Sequence, residues 1–166
     1  MPWTPPSRRG RGERGSQHVN EGRQIQMLFH GAIVVFMGLL FGLPFGIAVT
    51  TGWGEESVQA WRVAHAGMVA VGLMLIAIGA ALRHLVLGQR LASWLVWSLV
   101  ASAYAFTLAV LIRGIAGVKG FQPTGPILNW MAFLANMVGI LGSLTGVALT
   151  ARGAYAALRT PPAGWK

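Results

Sequence analysis

Four long apolar runs decide what this chain can fold into. They cover about 27–49, 62–83, 92–112 and 127–150. Each is near the ~20 residues that a helix needs to cross ~30 Å of hydrocarbon. No water reaches backbone N–H and C=O groups in a bilayer, so only helices and closed barrels span it. The runs lack the apolar–polar alternation of barrel strands, which leaves helices. Composition agrees: charged residues make up 10% of the chain and hydrophobic residues 54%, against a usual ~25% charged. That little charge cannot coat a water-soluble domain.

The flanks divide the chain. Residues 1–26 are polar, Arg-rich and aperiodic, and read as a disordered basic arm. They do not read as a signal peptide, since the apolar run after them is too long and no cleavage site follows. The chain is therefore read as all-α, an integral membrane four-helix bundle. Its parts are the arm over 1–26, a membrane domain over 27–152 and a tail over 153–166. Arg8, Arg9, Arg11, Arg14, Arg23, Arg83, Arg90, Arg152, Arg159 and Lys166 fall on one side of this topology, and Arg62, Arg113 and Lys119 on the other. The positive-inside rule then places arm and tail in the cytoplasm. Trp53, Trp61 and Trp130 would mark the outer interface, and Trp94 and Trp97 the inner one. The net charge of +9 lies in tails and loops rather than on one folded face, so nucleic acid is not an expected partner. Membrane lipid is.

Much chemistry is excluded outright. The chain has no Cys and no Asp, and its carboxylates are Glu13, Glu21, Glu55 and Glu56, all outside the apolar runs. Thiolate metal sites, paired-carboxylate catalysis and intramembrane acid relays are thereby removed. Small residues recur every four positions at Gly38, Gly42 and Gly46, at Ala101, Ala105 and Ala109, and at Ala135, Gly139 and Ser143. This spacing lets helix backbones approach within one bundle, or between copies of it. Pro44 should bend the first helix.

Polar residues within the runs are few, and histidine is the informative class. His65 and His84 lie ~28 Å apart along one helix, too far to share a metal ion. His84 beside Arg83 reads as solvated, and His30 as a helix–helix hydrogen bond or a partner for His84. His65 is the sharpest candidate, because Ala64, Ala66 and Gly67 leave room around its ring. Arg62 lies three residues before it, and Arg113 at the outer end of the third run. A haem needs one or two axial ligands and cations for its propionates, which His65 with Arg62 and Arg113 can supply. The alternative is that His65 bonds a carbonyl across the bundle.

His30-Gly31, Phe36, Leu39-Leu40-Phe41-Gly42, then Trp61-Arg62-Val63-Ala64-His65-Ala66-Gly67 and a later Gly125-Pro126 together resemble the styrene oxide isomerases. These are small four-helix bacterial membrane proteins, and the similarity spans about 27–150. The resemblance implies a homotrimer in a bacterial inner membrane, with ferric haem b at subunit interfaces. It implies an axial ligand at the position of His65. It also implies an activity: Lewis-acid rearrangement of a small apolar aryl epoxide to an aldehyde. Departures exist. The family's Asn six residues beyond the ligand is Val71 here, and a third-helix Asp is missing. The family's third-helix Tyr aligns with Thr107, with Tyr104 one turn earlier, so Tyr104 or Thr107 is the expected contact to substrate oxygen. Two other readings stay open: a haem protein for electron transfer or gas sensing, and a haem-free membrane assembly module.

Overall fold

The computed structural model describes the backbone of residues 8–159, with side chains from Glu21 onward. The outermost parts of the expected arm and tail, residues 1–7 and 160–166, lie outside the described residues. Four α-helices follow one another: α1 Arg8–Thr50, α2 Glu55–Ala81, α3 Gln89–Ala116 and α4 Ile127–Arg159. A short 3₁₀ turn at Leu82–His84 closes α2, and the described residues hold no strand. Each helix contains a stretch long and apolar enough to cross a membrane.

Two helices outrun their apolar runs. α1 starts at Arg8, inside the stretch that composition reads as an arm. Glu21, Arg23, Gln24 and Gln26 are good helix formers, so nothing stops the helix where the apolar run begins. α4 likewise continues through the expected tail to Arg159, whose guanidinium lies 4.5 Å from the centroid of the Tyr155 ring. Pro44 sits inside α1. It lacks an N–H, so the carbonyl of Leu40 loses its helical donor there, yet the helix runs on to Thr50. α3 ends at Gly117, whose left-handed φ of 64° carries its N–H back to the Arg113 carbonyl.

Packing makes two antiparallel hairpins, α1 on α2 and α3 on α4, with α3 also lying against α1 and α2. The first hairpin closes backbone to backbone. A Cβ on Gly38 would stand 2.7 Å from the Val69 nitrogen, and one on Gly72 would stand 2.6 Å from the Val35 nitrogen. Gly31 and Gly79 are equally tight against Ile76 and Met27. The seam is thus written in glycines of both helices, and the Gly38/Gly42/Gly46 spacing captured part of it. Gly46 itself meets nothing within 4 Å.

The second hairpin uses Gly139 under Phe106, Gly142 against the Ser98 carbonyl and Gly146 under Leu99. Ser102 donates to the Gly139 carbonyl or bonds Ser143 Oγ, each at 2.6 Å. Ala101, expected on a packing face, is exposed. Trp61 differs from the expected interfacial tryptophan. It is 7% exposed, tilted against Phe41 and pressed on Gly114, so it joins the two hairpins rather than anchoring in headgroups.

Candidate functional site

His65 sits three turns into α2 and is half-buried against α1. Its Nδ1 is 2.8 Å from the Gly38 carbonyl oxygen. A carbonyl only accepts, so Nδ1 carries the proton and donates, and Nε2 keeps its lone pair. Metal-binding histidines are typically held this way, with the far nitrogen donating to a carbonyl or carboxylate. The two readings of His65 left open by the sequence, carbonyl bond and ligand, are therefore compatible in one geometry.

The neighbours leave the ring room. A Cβ on Gly42 would lie 3.1 Å from His65 Nδ1 and 3.2 Å from Cε1, so the imidazole rests against bare backbone and a side chain there would push on it. Phe45 faces the ring at 14° with centroids 6.3 Å apart. Arg62 continues the row, its Cζ 5.8 Å from the Phe45 centroid. The Arg62 guanidinium is exposed and reaches Gln59 Oε1 at 3.4 Å, a weak contact that leaves its other donors available. Around this row, Cβ atoms on Gly46 and Gly67 would meet nothing within 4 Å, and Ala66 is exposed. One imidazole and one cation thus lie on neighbouring positions of α2, beside the exposed Gly46 of α1.

This donor set suits a haem better than a bare ion. Among the described residues no cluster of three or more His, Cys, Asp or Glu could hold a metal. Porphyrin iron brings four nitrogens of its own and asks the protein for one or two axial ligands.

Arg113 does not join this face. It lies beside Val63, which is two residues from His65 and so ~200° around α2. Its guanidinium stacks on Phe121 at 4.5 Å from the ring centroid.

The remaining candidates are also placed. Tyr104 is half-buried, and its hydroxyl lies 2.9 Å from His30 Nδ1, the two rings meeting edge to face. Thr107 is 4% exposed, and its hydroxyl is taken by the Ala103 carbonyl at 2.8 Å and by the Met68 sulfur at 3.2 Å. Val71 borders the apolar core. His30 and His84 do not face each other: His30 goes to Tyr104, and exposed His84 accepts from Arg83 Nε at 3.0 Å.

Sequence reading missed the roles of Gly42 and Phe45, because glycine periodicity looked like packing and an aromatic in an apolar run carries no sign of what it faces. It also left Asn129 and Asn136 without a task. They tie down the loop between α3 and α4. Asn129 accepts from the Gly120 N–H at 2.7 Å and donates to the Gln122 and Thr124 carbonyls, while Asn136 donates to the Gly120 carbonyl at 2.8 Å. Buried amides that spend donors and acceptors on one loop are a structural clip.

With this geometry in hand, comparison with known proteins is informative. A model of the styrene oxide isomerase family matches residues 23–155. No curated protein matches the chain.

Proposed function

The chain belongs to the styrene oxide isomerase family, and on that premise we propose that it is a membrane haem b protein that rearranges a small apolar aryl epoxide to an aldehyde. The observation that carries this reading is the His65 Nδ1–H donated to the Gly38 carbonyl, which leaves Nε2 as a metal donor on an uncovered face. His65 would be the axial ligand. Arg62 would meet a propionate, being the cation of that face. Ferric haem b bound there supplies a Lewis acid for the epoxide oxygen, and the substrate isomerises by opening its benzylic C–O bond with a 1,2-hydride shift, no atom being gained or lost.

The chain's own residues supply the rest. None of the four apolar spans carries a carboxylate near His65, and this chemistry asks for no general base. The surrounding apolar helices keep water from an aryl-stabilised cation. Of the two hydroxyls, Thr107 is committed to Ala103 and Met68, so Tyr104 is the better contact for substrate oxygen. When His30 donates to the Tyr104 oxygen, the phenol proton is free for another acceptor, and the pair aims it. Gly46 and Ala66 are exposed in the protomer, which supports closure of the site by a second copy in a homotrimer. The one-sided distribution of cations supports a bacterial inner-membrane setting with cytoplasmic termini.

Absorbance of the protein purified after haem-supplemented expression tests the cofactor. A Soret band lost in His65→Ala and kept in His84→Ala is expected; no band, or the reverse pattern, overturns the reading. Aldehyde formed from added styrene oxide tests the reaction, and a haem protein that leaves the epoxide untouched is not this isomerase.

A further inference from the structure

A cavity of about 440 Å³ opens at the end of the bundle away from the termini, between the start of α2, the end of α3 and the following loop. It lies on the Val63 side of α2, turned from His65, and meets the row above only at Gln59, which Arg62 reaches. Arg113 and Lys119 line it with Glu56, Gln59, Val63 and Phe121. Three features bear on what it takes. Two cations stand against one carboxylate, and Glu56 sits in the first turn of α2, where it answers the positive end of that helix. The Arg113 Nε is buried without a hydrogen-bond partner, so the protein leaves donor capacity on that guanidinium unmet. The Phe121 ring, stacked on Arg113 at 4.5 Å, and Val63 add an apolar wall to the charged rim.

The cavity matches a molecule with an anionic head and an apolar body. We propose that this cavity binds an anionic amphiphile, its phosphate or carboxylate head on Arg113 and Lys119 and its tail along Val63 and Phe121. Its place at the end of spans that cross the hydrocarbon puts the head at headgroup depth. Guanidinium groups favour such heads because their donor fork matches two oxygens at once. The tight clip of Asn129 and Asn136 on Gly120 holds the loop that carries Lys119 and Phe121, so the site is preformed.

The full chain in neutral detergent can be titrated with dioleoyl phosphatidylglycerol, decanoate, inorganic phosphate and dioleoyl phosphatidylcholine, with retained molecules counted by native mass spectrometry. One phosphatidylglycerol or one decanoate per protomer is expected, with inorganic phosphate and phosphatidylcholine weaker by about tenfold or more. Binding of phosphatidylglycerol without decanoate makes the source a lipid headgroup; binding of decanoate as well makes it free amphiphilic acids too. Arg113→Gln and Lys119→Gln should each weaken binding by about tenfold, while Arg62→Gln should not. Equal binding of phosphatidylcholine, no binding of either anion, or affinity unchanged in both variants overturns the proposal. So does loss of a Soret band in Arg113→Gln, which would return that residue to the cofactor. The titration is read without haem, so its failure and that of the haem reading are separate results.

Discussion

The two hairpins solve the same problem in different ways. In α1–α2 the backbones close on glycine, with Gly38 and Gly72 admitting a neighbouring main chain where any side chain would collide. One polar group of that hairpin, His65, spends one nitrogen on Gly38 and keeps the other for a further partner. In α3–α4 most polar groups are consumed internally, Ser102 with Ser143 and Gly139, Thr107 with Ala103, Asn136 with Gly120, while Tyr104 reaches across to His30 of α1. Satisfied hydroxyls and amides add specificity to helix pairing in lipid at modest energy, whereas a half-satisfied imidazole keeps capacity for a further partner. The first hairpin leaves an imidazole nitrogen uncommitted, and the second spends its serines and asparagines on holding shape.

That contrast can be broken by substitution. The largest effect is expected for His65→Ala, which should abolish haem absorbance while circular dichroism keeps the helical signal. A fully helical variant that still binds haem would remove α1–α2 as the presenting hairpin. Next comes Gly42→Val, whose side chain must displace the imidazole. Haem content should fall sharply with only a minor loss of stability, and an intact Soret band would show that the ring has another resting place. Gly72→Ala tests the backbone seam itself. Its Cβ falls 2.6 Å from the Val35 nitrogen, and overpacking of this kind costs about 1–3 kcal/mol in unfolding experiments.

On the other hairpin, Asn129→Ala removes three hydrogen bonds to the loop and leaves Gly120 N–H unpaired. A loss of about 1–3 kcal/mol is expected, with faster proteolysis between Gly117 and Pro126 and unchanged haem content. Smallest is Ser143→Ala. Ser102 still has the Gly139 carbonyl, so the change should stay near ~0.6 kcal/mol. A larger penalty there than for Gly72→Ala would invert the ranking of the two seams.

The helices were legible because lipid imposes a rule on length and apolarity that needs no knowledge of neighbours. All four spans, their order and the helix-only class follow from it. The seam glycines were only half legible. A repeat of four marks a helix face but not which face is buried, which is why Ala101 turned out exposed and Gly46 uncovered while Gly31, Gly72 and Gly79 pack. His65 stood out from its small neighbours, but Arg113 looked equivalent to Arg62 in sequence. Both lie at the same end of the bundle, and only the rotation of α2 and α3 puts them on different sides.

Sequence alone determined that this chain carries four helices long and apolar enough to span a membrane, because an unpaired backbone in hydrocarbon costs too much for anything but a helix in such runs. It also determined the family, through short motifs around the first hairpin. Tertiary structure decided which nitrogen of His65 is bonded, which hydroxyl is spent and which arginine stands beside Phe45 and His65. Those depend on contacts between helices distant in sequence, and a carbonyl such as that of Gly38 has no signature in the residue that bears it.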